Sequence, residues 1–331
     1  MSEVTRTRRE LLRTALVAAG ALPVLGLTAC GGESETGDSG GGTGGTRTVE
    51  HAMGETEITG TPKRVVALDA TFTSAVMALD TNVVGYTTFG GRGKLPEYLG
   101  RDREEYGSQA QRVGSLSQPS TEKIFGRDPD LILSAKVRHE ELYGQLSEVA
   151  PTVFSRTTGA TWKENLLLTG RALGKEETAR TRLDEYERRA RAIGDSIRSK
   201  VGHNPTMSVV RFAGEPTVRL YSADSFPGTV QRDTGLARPE GQPTGDGIAV
   251  NLSQERIPEL DAEHIFVTVY PDEAGDAAET RKTFESNPLW GKLTGKEHVV
   301  DDITWMTSVG IHGAHAILDN LADAFGVDPA R

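Results

Sequence analysis

The stretch KEETARTRLDEYERRARAIGDSIRSKV, residues 175–201, constrains the architecture of this chain more than any other. Leu183, Tyr186, Ala190, Ile193 and Ile197 recur at steps of three, four, three and four. One apolar stripe therefore runs down a long helix whose remaining faces are dense in Arg, Glu and Asp. Such a helix buries one side only and reads as a solvated strut between two lobes, residues 47–174 and 202–331.

Both flanks carry alternating strand and helix signals. RVVAL (Arg64 to Leu68) and NVVGYTTF (Asn82 to Phe89) are β-branched runs separated by the helical TFTSAVMALD. DLILSA (Asp130 to Ala135) precedes the amphipathic HEELYGQLSEV. The order βαβα favours a mostly parallel sheet flanked by helices. Beyond the strut, MSVVRF, TVRLYS, HIFVTVY and HVVDDITWM read as strands, with a helix around Ser253 to Leu260 and a closing helix from about Gly310 to Phe325. STEKIFGRDPDLILSA (Ser120 to Ala135) also aligns with SQERIPELDAEHIFVT (Ser253 to Thr268), with identity at Ser, Glu, Ile, Asp and Ile. Each copy reads as a serine-capped helix feeding a buried strand. A repeat on either side of the strut makes the two lobes relatives.

The amino terminus reads as an export signal. TRTRRELLR is followed by an apolar run from Ala15 to Ala29, too short to cross a hydrocarbon core of roughly 30 Å comfortably. Thr7 to Arg13 resembles a twin-arginine signal, and LTAC (Leu27 to Cys30) resembles a bacterial lipobox, whose cysteine is diacylated and becomes the mature terminus. Cys30 is the only cysteine and closes no intramolecular disulfide. Residues 1–29 are thus expected to be removed, leaving a lipid on Cys30 at the outer face of the cell membrane. Residues 30–46 form a Gly/Ser/Thr linker. The GDSGGG within it resembles a protease nucleophile surround, but nothing apolar is near to hold a serine rigidly.

The formal charge of −10 speaks against nucleic acid, whose backbone is bound by clustered Lys and Arg. No nucleophile elbow, phosphate loop or paired-carboxylate motif points to an enzyme. HGAH places His312 and His315 on one helical face, which raises a receptor for bare Zn²⁺ or Mn²⁺ as an alternative; such sites usually need three or four ligands.

This organisation, carried by RVVAL, MALDTNVVGY, VGSLSQPSTEKIFGRDPDLIL, SVVRF, VRLYSADSFPGTVQRDTGLARP, LSQERIPELDAEHIFV and NPLWGKL, resembles the substrate-binding lipoproteins of ABC importers for iron-siderophores and vitamin B12. The resemblance implies a class III periplasmic-binding-protein-like α/β fold. It also implies a monomer without a cofactor, which holds a ferric siderophore in the interlobe cleft and delivers it to an ABC permease and its ATPase. In that family one glutamate on each lobe meets an arginine of the permease, and the matching positions are Glu122 and Glu255. Arg211 matches a siderophore-contacting arginine; Arg138 is its candidate counterpart on the first lobe, also at a strand end. A guanidinium fork suits the clustered oxygens of a chelate. Phe226 and Trp305 match aromatic positions, and Tyr221, Tyr270 and Phe89 stand at strand ends. These residues favour a hydroxamate of the ferrioxamine type, iron being held by the chelator alone; cobalamin and haem are the alternatives within the fold. One departure is that Leu116, Ser117 and Gln118 stand where some hydroxamate binders carry an arginine.

Overall fold

A computed structural model describes residues 45–89, 93–245 and 247–331. The export signal, Cys30 and all but the last two residues of the expected linker lie outside these. A hairpin of β1 (Thr46–His51) and β2 (Gly54–Thr59) opens the described chain. It is tied to the first lobe by the Ala52 amide donating to the Phe154 carbonyl at 2.9 Å.

The first sheet contains β3 (Val65–Ala67), β4 (Val83–Thr88), β5 (Gln111–Ser115), β6 (Leu131–Ala135) and β7 (Thr152–Ser155). Its order is β5-β4-β3-β6-β7 and every pairing is parallel. Strands β3, β4, β6 and β7 are buried throughout, as the runs of Val, Leu and Ile require of a sheet covered on both faces. The second sheet holds β8 (Met207–Phe212), β9 (Val218–Tyr221), β10 (Ala249–Leu252), β11 (His264–Val269) and β12 (Lys296–Val299), ordered β10-β9-β8-β11-β12. The two orders correspond position by position. The repeated segment bridges β5 to β6 in one lobe and β10 to β11 in the other, as the sequence echo requires.

The second sheet departs from the first at one strand. Strand β9 is antiparallel to both neighbours, because residues 213–217 between it and β8 are too few for a parallel crossover. Three expected elements also change. HEELYGQLSEV breaks into short helical turns, Lys136–His139, Glu140–Leu142 and Tyr143–Ser147. The helix after Ser253 is a 3-10 helix, Gln254–Leu260, with Pro258 inside it. HVVDDITWM is not one strand: it leaves the sheet after Val299 and forms a π-helical turn, Ile303–Thr307.

The strut is a helix of 26 residues, Glu176–Val201, about 39 Å long at 1.5 Å per residue. Its stripe buries Tyr186, Ala190, Ile193 and Ile197, while Leu183 is only half-buried. It packs on the first-lobe helix Trp162–Leu173 and on the second-lobe helices Phe226–Thr234 and Ile311–Phe325. Trp162 meets the Tyr186 ring edge-on at 4.9 Å and donates from Nε1 to Thr229 Oγ1 at 3.1 Å, so the lobes touch directly beside the strut. Lys163 reinforces the junction, donating to Glu187 and Asp233 at 2.8 Å each.

Closest approach occurs at Gly194, where an added Cβ would stand 1.8 Å from the Thr234 carbonyl oxygen. Only a hydrogen fits there. Gly194→Val should force the strut off the helix Phe226–Thr234 and destabilise the protein by about 3 kcal/mol. The change should appear as a lower urea midpoint at an unchanged slope.

Candidate functional site

The candidate binding residues lie at or just beyond the carboxyl ends of parallel strands, where open α/β sheets bind ligands. In the second lobe Arg211 is the penultimate residue of β8, Tyr270 follows β11, and Asp302 lies three residues past β12. In the first lobe Asp69 follows β3, Phe89 follows β4, and Arg138 lies three residues past β6. Phe89 and Tyr270 meet edge-on, ring centroids 5.9 Å apart, so the strand ends of the two lobes face each other and touch through these rings.

Arg211 is 7% exposed and its fork is filled on one side by Asp302, itself 3% exposed. Nε donates to Oδ1 at 2.7 Å and Nη2 to Oδ2 at 2.8 Å, a bidentate pair. Nη1 donates to the Tyr221 hydroxyl at 3.3 Å, and the guanidinium carbon lies 5.3 Å from the centre of the Tyr270 ring. Burial pushes the Asp302 carboxyl above its ordinary range, and the adjacent Arg211 draws it back down. Burial opposes the charge on Arg211 as well, but Tyr221 and Asp302 outweigh it and hold the guanidinium firmly protonated.

The first lobe repeats this device in a more open setting. Asp69 caps the helix Ala70–Ala78, its Oδ1 accepting from the Thr71 amide at 3.0 Å. Its Oδ2 accepts from Arg138 Nε at 3.2 Å, and Arg138 Nη2 donates to Thr158 Oγ1 at 3.3 Å. Burial raises the Asp69 pKa, against the pull of Arg138. The Arg138 side chain keeps 40% exposure, whereas its acidic partner keeps 5%.

The structure therefore brings together Arg211, Tyr221, Tyr270 and Phe89, and sets Arg138 at a corresponding strand end. It does not bring Trp305 or Phe226 to the gap. Trp305 is fully buried: the π-helical turn carries its indole onto the Phe266 ring at 4.9 Å, with Nε1 donating to Asn320 Oδ1 at 2.8 Å. Phe226 is 3% exposed at the start of its helix, edge-on to Trp162 at 6.3 Å. Both are core side chains, the commoner fate of large aromatics. Asp69 and Asp302, which hold the two arginines, were missed by the sequence reading. Asp69 carried a signal, an N-cap aspartate between a strand and a helix; Asp302, inside an apparent strand, carried none.

His312 and His315 share a helix face but have separate partners. His312 pairs with Ser74 and Asp102 of the first lobe, each at 2.9 Å. His315 Nδ1 accepts from Arg189 Nη1 at 2.9 Å, which places the imidazole proton on Nε2. Among the described residues no group of three or more His, Cys, Asp or Glu is placed to hold a metal ion. Burial, with the Arg189 charge, pushes the His315 pKa down to about 4. Above the ordinary value of 6.5 both folded and unfolded states carry a neutral ring. Below it the unfolded chain takes the proton first. Stability should therefore fall as pH drops from 6.5 toward 4, with this group supplying on the order of 2–3 kcal/mol. His315→Gln, which keeps an acceptor for Arg189 but does not titrate, should make that part of a melting-temperature profile less steep, the slope that remains coming in part from His298, whose pKa is also pushed down to about 4.

Glu122 and Glu255 are both exposed and stand at matching places in the two lobes. Glu122 is on the short helix Thr121–Phe125, capped by Ser120 Oγ accepting from the Lys123 amide at 3.3 Å. Glu255 is the second residue of the 3-10 helix, where Ser253 makes no backbone cap; its hydroxyl instead holds the Glu255 carboxyl below the ordinary range.

Two α/β lobes on a single helical strut, with donors and rings at their facing strand ends, make a class III binding-protein architecture. The chain belongs to the periplasmic binding protein family, whose model matches residues 65–299. It is 34% identical over 319 residues to the "Probable siderophore-binding lipoprotein YfiY" of Bacillus subtilis (strain 168), covering 92% of this chain and 95% of that one. It is 28% identical to the achromobactin-binding periplasmic protein of Dickeya dadantii (strain 3937), covering 80% and 87%. Among solved structures, Staphylococcus aureus SirA complexed with staphyloferrin B superposes with a TM-score of 0.73 at 30% identity, covering 86% of this chain and all of SirA.

Proposed function

We propose that this protein is a lipid-anchored receptor on the outer face of the cell membrane. It captures a ferric siderophore between its lobes and hands it to an ABC importer, binding its cargo without transforming it. The observation that carries this reading is the arrangement at the strand ends: a guanidinium held by a buried carboxylate on each lobe, with the Tyr270 ring beside Arg211 and meeting Phe89 of the other lobe. Unused donor positions on the guanidinium groups suit the oxygens of a chelate, and the rings suit its organic perimeter. The relatives named for siderophores support the same class of ligand. Anchoring rests on the lipobox cysteine, Cys30; among the described residues no helix is long and apolar enough to cross a membrane.

The finer reading is a hydroxamate of the ferrioxamine type. Three singly charged hydroxamates neutralise Fe³⁺, and an uncharged complex matches a gap in which Asp302 balances Arg211 and Asp69 balances Arg138. A tris-catecholate complex, strongly negative, would meet no net positive charge in these two pairs. Tryptophan quenching across ferric hydroxamates, ferric catecholates, ferric citrate, cobalamin and haem tests the assignment. Saturable quenching is expected with a ferric hydroxamate; saturation by another class alone would replace the chelator, and by cobalamin or haem alone would replace the receptor type.

A further inference from the structure

Phe125 is 71% exposed, the most exposed of the large hydrophobic residues described. It lies three residues beyond Glu122, and the two share the outward side of the helix Thr121–Phe125, whose inward side is the buried Ile124. Among the described residues Glu122 enters no ion pair, unlike Glu140, Glu176, Glu259 and Glu285. The repeat gives the second lobe the same pattern. Glu255 and Pro258 are both exposed, also three residues apart, and in a 3-10 helix residues at that spacing eclipse. Each lobe thus presents a carboxylate without an ion pair among the described residues, beside an outward apolar group, at corresponding places in two sheets of the same strand order. The apolar group is a large aromatic on one lobe and a small ring on the other.

We propose that Phe125 is an apolar anchor for the importer's membrane permease, inserting beside the basic residue that meets Glu122. The permease surface it fits is an apolar recess edged by positive charge, complementary to the carboxylate and ring together. An exposed aromatic next to a charge is the side-chain type that dominates interface energy once desolvated. Because Pro258 offers far less area than Phe125, the anchor is one-sided. The first lobe then contributes more of the docking energy than the second, although the glutamates are matched. The inference rests on the proposed role of the protein as an importer's receptor.

The test uses the full-length lipoprotein without ligand, measuring its affinity for the cognate permease–ATPase complex in nanodiscs. Phe125→Ser should weaken docking by at least about tenfold, Phe125→Leu by no more than about threefold, and Pro258→Ser by less than Phe125→Ser. Unfolding midpoints should not move, since the side chain is exposed. A Glu122→Lys, Glu255→Lys double variant is run alongside. If that variant fails to dock while Phe125→Ser docks as the parent does, the anchor is overturned and the receptor reading stands. If neither variant changes docking, the receptor reading fails with it.

Discussion

Replacing Arg211 by Ala is expected to abolish chelate binding and to weaken the fold at the same time. The substitution removes the donor fork beneath Tyr270 and leaves the Asp302 carboxylate buried and unpaired. Breaking a buried ion pair from one side typically costs about 3–5 kcal/mol. The loss of binding could then be blamed on unfolding, so the informative variant is Arg211→Met with Asp302→Leu. Apolar groups of similar size replace both charges there, and the fold should recover most of its stability. Binding should stay at least about a hundredfold weaker, the consequence of losing charge-assisted hydrogen bonds worth about 1.5–3 kcal/mol each. Calorimetric titration of both variants, with thermal midpoints measured in parallel, separates the two effects. Full affinity in the double variant would remove Arg211 from the site.

Reversing charge at Glu122 and Glu255 together should abolish uptake in cells and leave chelate affinity on the purified protein unchanged. Both carboxylates are exposed, and neither forms an ion pair among the described residues, so Lys in their place disrupts no packing. A like charge set against a basic permease surface costs several kcal/mol in a docked complex. Uptake of the ⁵⁵Fe chelate should therefore fall to background while the quenching curve overlays that of the parent. A loss of chelate affinity would move both residues to the ligand site.

The features legible in the sequence were those written locally. A stripe at helical spacing defines the strut from Tyr186 to Ile197 wherever that helix packs, and the repeat from Ser120 and Ser253 marks the same connection in each lobe because both copies meet the same packing problem. The charge partners were not legible, because pairing is not local. Arg211 and Asp302 are 91 residues apart, and Arg138 and Asp69 are 69 apart. The π-helical turn shows the limit most clearly. The β-branched residues around Asp301 and Asp302 signal a strand. Yet Asp301 Oδ1 accepts from the amide and hydroxyl of Thr304 at 2.8 and 2.7 Å, and the chain turns there. That turn sends Trp305 into the core and leaves Asp302 beneath Arg211. The resemblance placed Trp305 among the ligand-binding aromatics, whereas its indole packs against Phe266 in the core.

Anomalous diffraction at the iron edge from crystals grown with a ferric hydroxamate tests the central claim most directly. The account predicts a single iron peak between the two strand-end faces, flanked by Arg211 and Arg138, with every oxygen around the metal supplied by the chelator. A peak coordinated by His312 or His315, or one on an outer face of either lobe, would contradict it.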